Sequence, residues 1–234
     1  MRNWRRWGLS CLVALGILCG NKSVYADDVL PKAGTWEVGL RTGYLWGLRK
    51  HAEMIPVNLR FGYTLFKGQW WVVPAGALEV SAEPFASVIH SIRTGGNTRS
   101  GAVGTVLVGA DLFGYNNPQR FSPRAIQAKG GAHGSIELGL GLPVFTYYFD
   151  TGTRFVPYVE AGLGVLYTDL RGYGLGGHFS FTETGGVGVS YFLSDNLALN
   201  AMWRYRHVSN AGIYDNNRGL DSGVILAGFS YFLP

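Results

Sequence analysis

The chain has 234 residues with 20 basic and 15 acidic side chains, and four of the basic ones (Arg2, Arg5, Arg6 and Lys22) lie in the first 26 residues, leaving 16 against 15 in the remainder. That near-neutral remainder excludes the basic patch a nucleic-acid partner requires, so no nucleic acid is expected to bind. The chain holds 35 glycines and 14% aromatic residues, where average proteins carry roughly 7% glycine, and this composition suits an exported outer-membrane protein.

Residues 1–26 read as a cleavable export signal: three arginines, an apolar run from Gly8 to Leu18, and small residues around Val24-Tyr25-Ala26. The run is too short to span a bilayer as a helix. Cys11 and Cys19 both fall within it, and Leu18 before Cys19 does not suit a lipoprotein cleavage site. Residues 27–234 are therefore expected to form one cysteine-free domain.

From Thr35 to Trp46 the residues alternate, with Trp36, Val38, Leu40, Tyr44 and Trp46 opposite Glu37, Gly39, Arg41 and Gly43. This period of two predicts a strand with one apolar and one polar face. Ile55–Phe66 repeats the pattern, and Trp70–Ser81, Ser135–Phe149, Phe155–Tyr167, Phe179–Leu193, Leu197–Ser209 and Asp221–Leu233 complete a set of eight. Eight such strands predict an all-β fold, an eight-stranded antiparallel transmembrane β-barrel, because only a closed barrel satisfies every backbone group of a sheet in lipid. Arg41, Asn58, Arg60, Glu137, Glu160, Asn200 and Arg204 would fill its lumen and leave no water-filled pore. A soluble sandwich or lipocalin-like barrel also alternates. It does not account for Trp36, Trp46, Tyr63, Tyr167, Tyr191, Trp203 and Tyr231 near strand ends, where a membrane barrel carries its aromatic girdles.

Short connections at Lys67-Gly68-Gln69, Asp150 to Arg154 and Ser194-Asp195-Asn196 read as periplasmic turns and the intervening, longer ones as extracellular loops. The longest is 82–134. Within it Val103 to Phe113 is apolar enough for a strand, but an odd strand would break the even count, so it is assigned to a loop.

With that orientation the seventh strand runs outward, and His207 and Ser209 prolong its apolar row Leu197, Leu199, Ala201, Trp203, Tyr205. A hairpin turning near Tyr214 places Asp221 opposite His207, since antiparallel partners keep a constant index sum. Ser209, His207 and Asp221 thus gather on one lipid-facing patch: a hydroxyl, an imidazole that can take its proton, and a carboxylate that can orient the imidazole. Residues of these types at a barrel rim are also common as solvated loop ends. His51, His90, His133 and His178 lie in or beside proposed loops with no matching pattern. No HExxH, paired CxxC or Gly-rich phosphate loop is present, so no metal and no cofactor is expected.

The stretch His207-Val208-Ser209-Asn210-Ala211-Gly212, followed by Asn217, Gly219 and Asp221, resembles the signature of the PagL family of outer-membrane lipid A deacylases. The specific match covers residues 204–222, and the remainder agrees more loosely. The resemblance implies a hydrolase without cofactors in the bacterial outer membrane, removing the ester-linked 3-position acyl chain of lipid A in lipopolysaccharide. It implies Ser209 as nucleophile, His207 as base, Asp221 as acid, the Asn210 side chain and the Gly212 backbone N–H as oxyanion donors, and a structural role for Asn217. The expected partners are the substrate lipid and the surrounding outer-membrane lipids, and a homo-oligomer is compatible with the sequence. Two features depart from the family's pattern: an Asp where the family's best-known acid is Glu, and the long 82–134 connection. Glu183 is a separate puzzle, since its parity with Phe181 and Val187 puts it on the lipid face unless Gly185-Gly186 forms a bulge. The competing reading is a non-enzymatic barrel of the OmpX type, serving adhesion or envelope integrity.

Overall fold

A computed structural model describes residues 29–48, 51–70, 73–93, 136–168 and 175–233. The proposed export signal and the Val103 to Phe113 segment lie outside these residues. Eight strands follow one another: β1 (Trp36–Gly47), β2 (His51–Trp70), β3 (Val73–Arg93), β4 (Ile136–Phe149), β5 (Phe155–Thr168), β6 (Phe179–Ser194), β7 (Leu197–Ser209) and β8 (Leu220–Leu233). Each pairs antiparallel with the next, and β1 pairs with β8 to close the barrel.

All eight expected strands are present, with three changes of boundary. β2 begins at His51, so most of the expected first loop is strand. β3 continues to Arg93, so the first part of the expected 82–134 connection, His90 included, also pairs in the sheet. Lys67-Gly68-Gln69 is not a turn: β2 runs through it, with register shifts on either side, and the chain reverses between the partners Trp70 and Val73.

The distribution of polarity is inverted relative to a soluble protein. Leu59, Phe61, Val159, Leu199, Ile225 and Phe229 are exposed, while Glu37, Arg41, Arg60, Glu79, Glu83 and Glu160 are buried. The lumen holds a connected ion network. Arg60 donates through Nε to Glu37 at 2.7 Å, through Nη1 to Glu160 at 3.0 Å and through Nη2 to Glu79 at 2.6 Å. Arg41 donates to the same Glu160 at 3.1 Å, and Arg204 bridges Glu160 to Glu83, reaching the latter at 2.8 and 2.9 Å. Nearer the outer end Arg206 clasps Glu137 with both of its Nη atoms. Glycine lets the two backbones approach closely at the β1–β8 seam, where a Cβ on Gly43 or Gly228 would come within 1.8 Å of Ile225 O or 1.9 Å of Leu40 O.

The end of the barrel at the short turns is closed by apolar side chains. Tyr148 stacks near Tyr158 and Phe192 near Phe232, each pair at 5.5 Å between ring centres. Val29 and Leu30, from the lead into β1, belong to the same buried cluster, and Lys67 Nζ holds Leu30 O at 3.0 Å. A void of about 30 Å³ beside Asn58, Glu83, Arg204 and Arg206 has room for a water or two. A filled lumen leaves the outer wall as the surface where chemistry on a lipid can take place.

Candidate active site

β7 presents Tyr205, His207 and Ser209 on the outer wall, while Arg204, Arg206 and Val208 are buried on the inner side. The alternation follows from the pleat, and the lipid-facing parity is set by Leu199 and Ala201 further down the same strand. The β7–β8 register pairs Arg206 with Ser222, His207 with Asp221 and Val208 with Leu220, so the hairpin is centred on Tyr214 as the index sum requires.

This register brings the two ionisable side chains into contact. His207 Nδ1 lies 2.7 Å from Asp221 Oδ1. Since a carboxylate there can only accept, Nδ1 carries the proton and Nε2 is left as the basic nitrogen. The shorter Asp side chain suffices because it projects from the position directly opposite His207. Tyr205, read from sequence as a girdle residue, donates its hydroxyl to the same Asp221 Oδ1 at 2.7 Å and so fixes the carboxylate from the other side. Its parity with His207, two positions on, is the signal that could have revealed this role.

The ring of His207 leans toward the outer end of the strand. A Cβ built on Gly219 would fall 2.8 Å from His207 Cε1. Extending the register one step beyond Val208–Leu220 places Gly219 opposite Ser209. Gly219 also has a φ of +66°, a region that side-chain-bearing residues enter at a cost. The imidazole thus extends toward the level of Ser209, where the facing backbone has no side chain. His207 and Asp221 are 33% and 15% exposed, partly screened yet open toward the bilayer.

The 210–219 connection is organised around Asn210. Its backbone N–H donates to Asn217 Oδ1 at 2.9 Å, its Nδ2 to Asn216 O at 2.8 Å, and its Oδ1 accepts from Gly212 N at 2.9 Å. Asn217 therefore serves the loop, in line with the structural role expected of it. The two expected oxyanion donors fare differently. Asn210 Nδ2 has a second hydrogen beyond the one given to Asn216, but the residue is fully buried. Gly212 has a single N–H, and as folded it is taken by Asn210 Oδ1. The turn that sets this contact has left-handed backbone at both Ala211 (φ 52°) and Gly212 (φ 82°). Tyr214 packs over Gly176 and Gly177, and Leu175 bridges to Asn217, so the segment before β6 braces the hairpin.

Glu183 faces the exterior. The pairing of β6 is continuous with β5 from Phe155–Tyr191 to Tyr167–Phe179, and with β7 from Phe181–Ser209 to Phe192–Ala198. No bulge forms at Gly185-Gly186, and Glu183 stands as the partner of His207. Of the remaining histidines, His178 stacks on Tyr167 at 4.7 Å with Nδ1 2.9 Å from Thr168 O, a local brace. His51 and His90 fall within β2 and β3, and His133 lies outside the described residues. Among the described residues no group of His, Cys, Asp and Glu is arranged to hold a metal.

A family model described as Lipid A 3-O-deacylase (PagL) matches residues 57–230. The lipid A deacylase PagL of Pseudomonas aeruginosa is 32% identical over 98 residues, covering 40% of this chain and 54% of that protein. The protein of the same name from Bordetella bronchiseptica is 35% identical over 91 residues, covering 38% and 47%. The chain thus spans about half the length of the curated relatives it matches. Among solved structures, the outer membrane enzyme PagL superposes with a TM-score of 0.50 at 20% identity, covering 82% of this chain and 97% of that one, a likeness of fold.

Proposed function

The chain belongs to the PagL lipid A 3-O-deacylase family, and from that premise we propose that it is a lipid A 3-O-deacylase working on the outer leaflet of the bacterial outer membrane with Ser209, His207 and Asp221. The observation that carries the reading is the His207 Nδ1–Asp221 Oδ1 contact in the outward row that contains Ser209. A non-enzymatic barrel has no use for a Tyr–Asp–His chain aimed into lipid.

The chemistry follows from the residue types. Ser209 Oγ attacks the ester carbonyl carbon while His207 Nε2 takes its proton, and Asp221 and Tyr205 hold the imidazole as it becomes cationic. The Asn210 carboxamide, buried as folded, is the side-chain donor nearest the nucleophile in sequence and would stabilise the developing oxyanion through its second hydrogen once substrate binding uncovers it. Collapse breaks the bond to the sugar oxygen, which leaves with the proton from His207, and the acyl group stays on Ser209. Water, deprotonated by the same imidazole, then releases the fatty acid. The substrate's acyl chains lie alongside the wall, so the ester reaches Ser209 without extraction from the membrane.

Mass spectrometry of lipid A from Gram-negative cells expressing the chain is the direct test. Loss of one 3-hydroxyacyl group is the expected result, and unchanged lipid A in cells with folded barrel would overturn the reading. The fit of His207 against Gly219 yields a finer expectation. Gly219→Ala must either rotate the imidazole or shift β8, and a misplacement on the order of 1 Å costs about 10²-fold in rate. Release of 3-hydroxy fatty acid by the purified variant should fall by about that factor, with heat-modifiable migration on gels retained.

A further inference from the structure

Glu183 places a carboxylate on the outer wall of β6, in the row of Phe179, Phe181 and Val187. Charged groups on the lipid face of a barrel destabilise it in a depth-dependent way, so a carboxylate maintained there calls for a return. Its neighbours identify one. Glu183 is the register partner of Leu163 on β5 and of His207 on β7, and directly opposed residues hold their Cβ atoms about 4.5–5.5 Å apart. His207 is in turn the partner of Asp221. His207 therefore stands in register between two acidic residues, one on each flanking strand.

We propose that Glu183 is a positioning residue for His207, its charge stabilising the imidazolium that forms when Ser209 gives up its proton. The inference rests on His207 acting as the base in the function proposed above. The two acids divide the task. Asp221 binds Nδ1 and shares its oxygen with the Tyr205 hydroxyl, which fixes the tautomer and disperses part of its charge. Glu183 acts from the opposite strand through its field, in surroundings less polar than water where such a field is poorly screened.

The charged and titratable groups around His207 are Glu183 on β6, Tyr205 on β7, Asp221 on β8, and Asp215 and Arg218 on the hairpin loop, both exposed. Arg206 is turned inward onto Glu137. Both strand carboxylates favour the protonated imidazole and Arg218 opposes it, so removing the charge of Glu183 makes His207 a weaker base. The neutral imidazole is the reactive form, so in Glu183→Gln the acid limb of kcat/KM moves to lower pH by about one unit. The rate on the plateau falls by about 10-fold, and Glu183→Asp recovers part of both effects.

Two measurements separate this inference from the function it rests on. The first is an NMR titration of histidine-labelled protein carrying Ser209→Ala in zwitterionic micelles, with the His207 signal assigned by His207→Asn. Adding Glu183→Gln should lower the His207 midpoint by about one unit, whether or not the chain hydrolyses lipid A. A midpoint that does not move overturns the inference. The second is the pH profile of lipid A hydrolysis by Glu183→Gln. A raised KM with an unchanged acid limb would make Glu183 a substrate contact instead and equally overturn it. A shifted midpoint in a chain that never releases fatty acid leaves the electrostatic pairing standing and removes the proposed function.

Discussion

Ser209→Ala and His207→Ala should each cut the release of 3-hydroxy fatty acid from lipid A by at least about 10³-fold, with unchanged heat-modifiable migration of the barrel. Neither side chain takes part in the lumen network or the apolar cluster at the short turns, and both lie in the outward row of β7, so stability should be unaffected. Nucleophile and base act as a unit, and the double variant should be little worse than either alone. Asp221→Ala should be less damaging, by about 10-fold or more, because loss of the orienting acid can cost less than loss of nucleophile or base. Arg206→Gln is the control for face. Arg206 directly precedes His207 in sequence but points inward to Glu137 at 2.9 to 3.1 Å, so its loss should weaken the barrel more than the chemistry. Retention of more than about a tenth of wild-type hydrolysis by Ser209→Ala would sink the assignment, as would a cysteine at 209 that reacts only with lumen-directed reagents. A slip of one residue in register turns every side chain of the strand to the other face.

The strands were legible because lipid imposes one rule along the whole wall. Each outward position from Trp36 to Leu233 has to be apolar, and a strand has only two faces. The same rule made the site legible: His207 and Ser209 stand out because they violate it, and the index sum then selects Asp221. Strand length was harder to read where the rule lapses beyond the girdles. His51 to Met54 and Ala82 to Arg93 lie at the outer ends of β2 and β3, where polar and charged residues interrupt the apolar row. Pro84 reads as a strand stop, yet it sits beside a register shift between Ser81 and Glu83, where the pairing with β4 is already irregular. Ending that strand at Ser81 also hid Glu83, a principal partner of Arg204. The bond from Gly212 N–H to Asn210 Oδ1 was beyond sequence reasoning, since it depends on two successive left-handed residues. Tyr205 and Glu183 were placed on the correct face, but their tie to His207 is a cross-strand fact that appears once register is known.

Arg60→Met should be the most destabilising single substitution in the barrel, lowering its unfolding free energy by about 3–5 kcal/mol. Arg60 is fully buried and serves Glu37, Glu79 and Glu160 at once, with Thr146 as a further acceptor at 2.6 Å. The cluster sets Arg41, Arg60 and Arg204 against Glu37, Glu79, Glu83 and Glu160. Removing Arg60 leaves Arg41 and Arg204 alone to face the acidic side chains of the cluster with no access to bulk water, and an uncompensated buried charge accounts for most of the cost of breaking such a group. Arg60→Lys keeps the charge but loses the planar fork that reaches three acids in different directions, and its loss should be intermediate. The double variant Arg60→Met/Glu37→Gln removes a cation together with the carboxylate that faces its Nε and should recover more than half of the deficit, even if the single variant fails to refold. Urea unfolding in detergent micelles, followed by tryptophan fluorescence and gel migration, provides the measurement. If Arg60→Met unfolds within about 1 kcal/mol of wild type, or the added Glu37→Gln makes matters worse, charge balance is not what holds the lumen together, and packing of the Tyr148–Phe232 end becomes the better explanation of barrel stability.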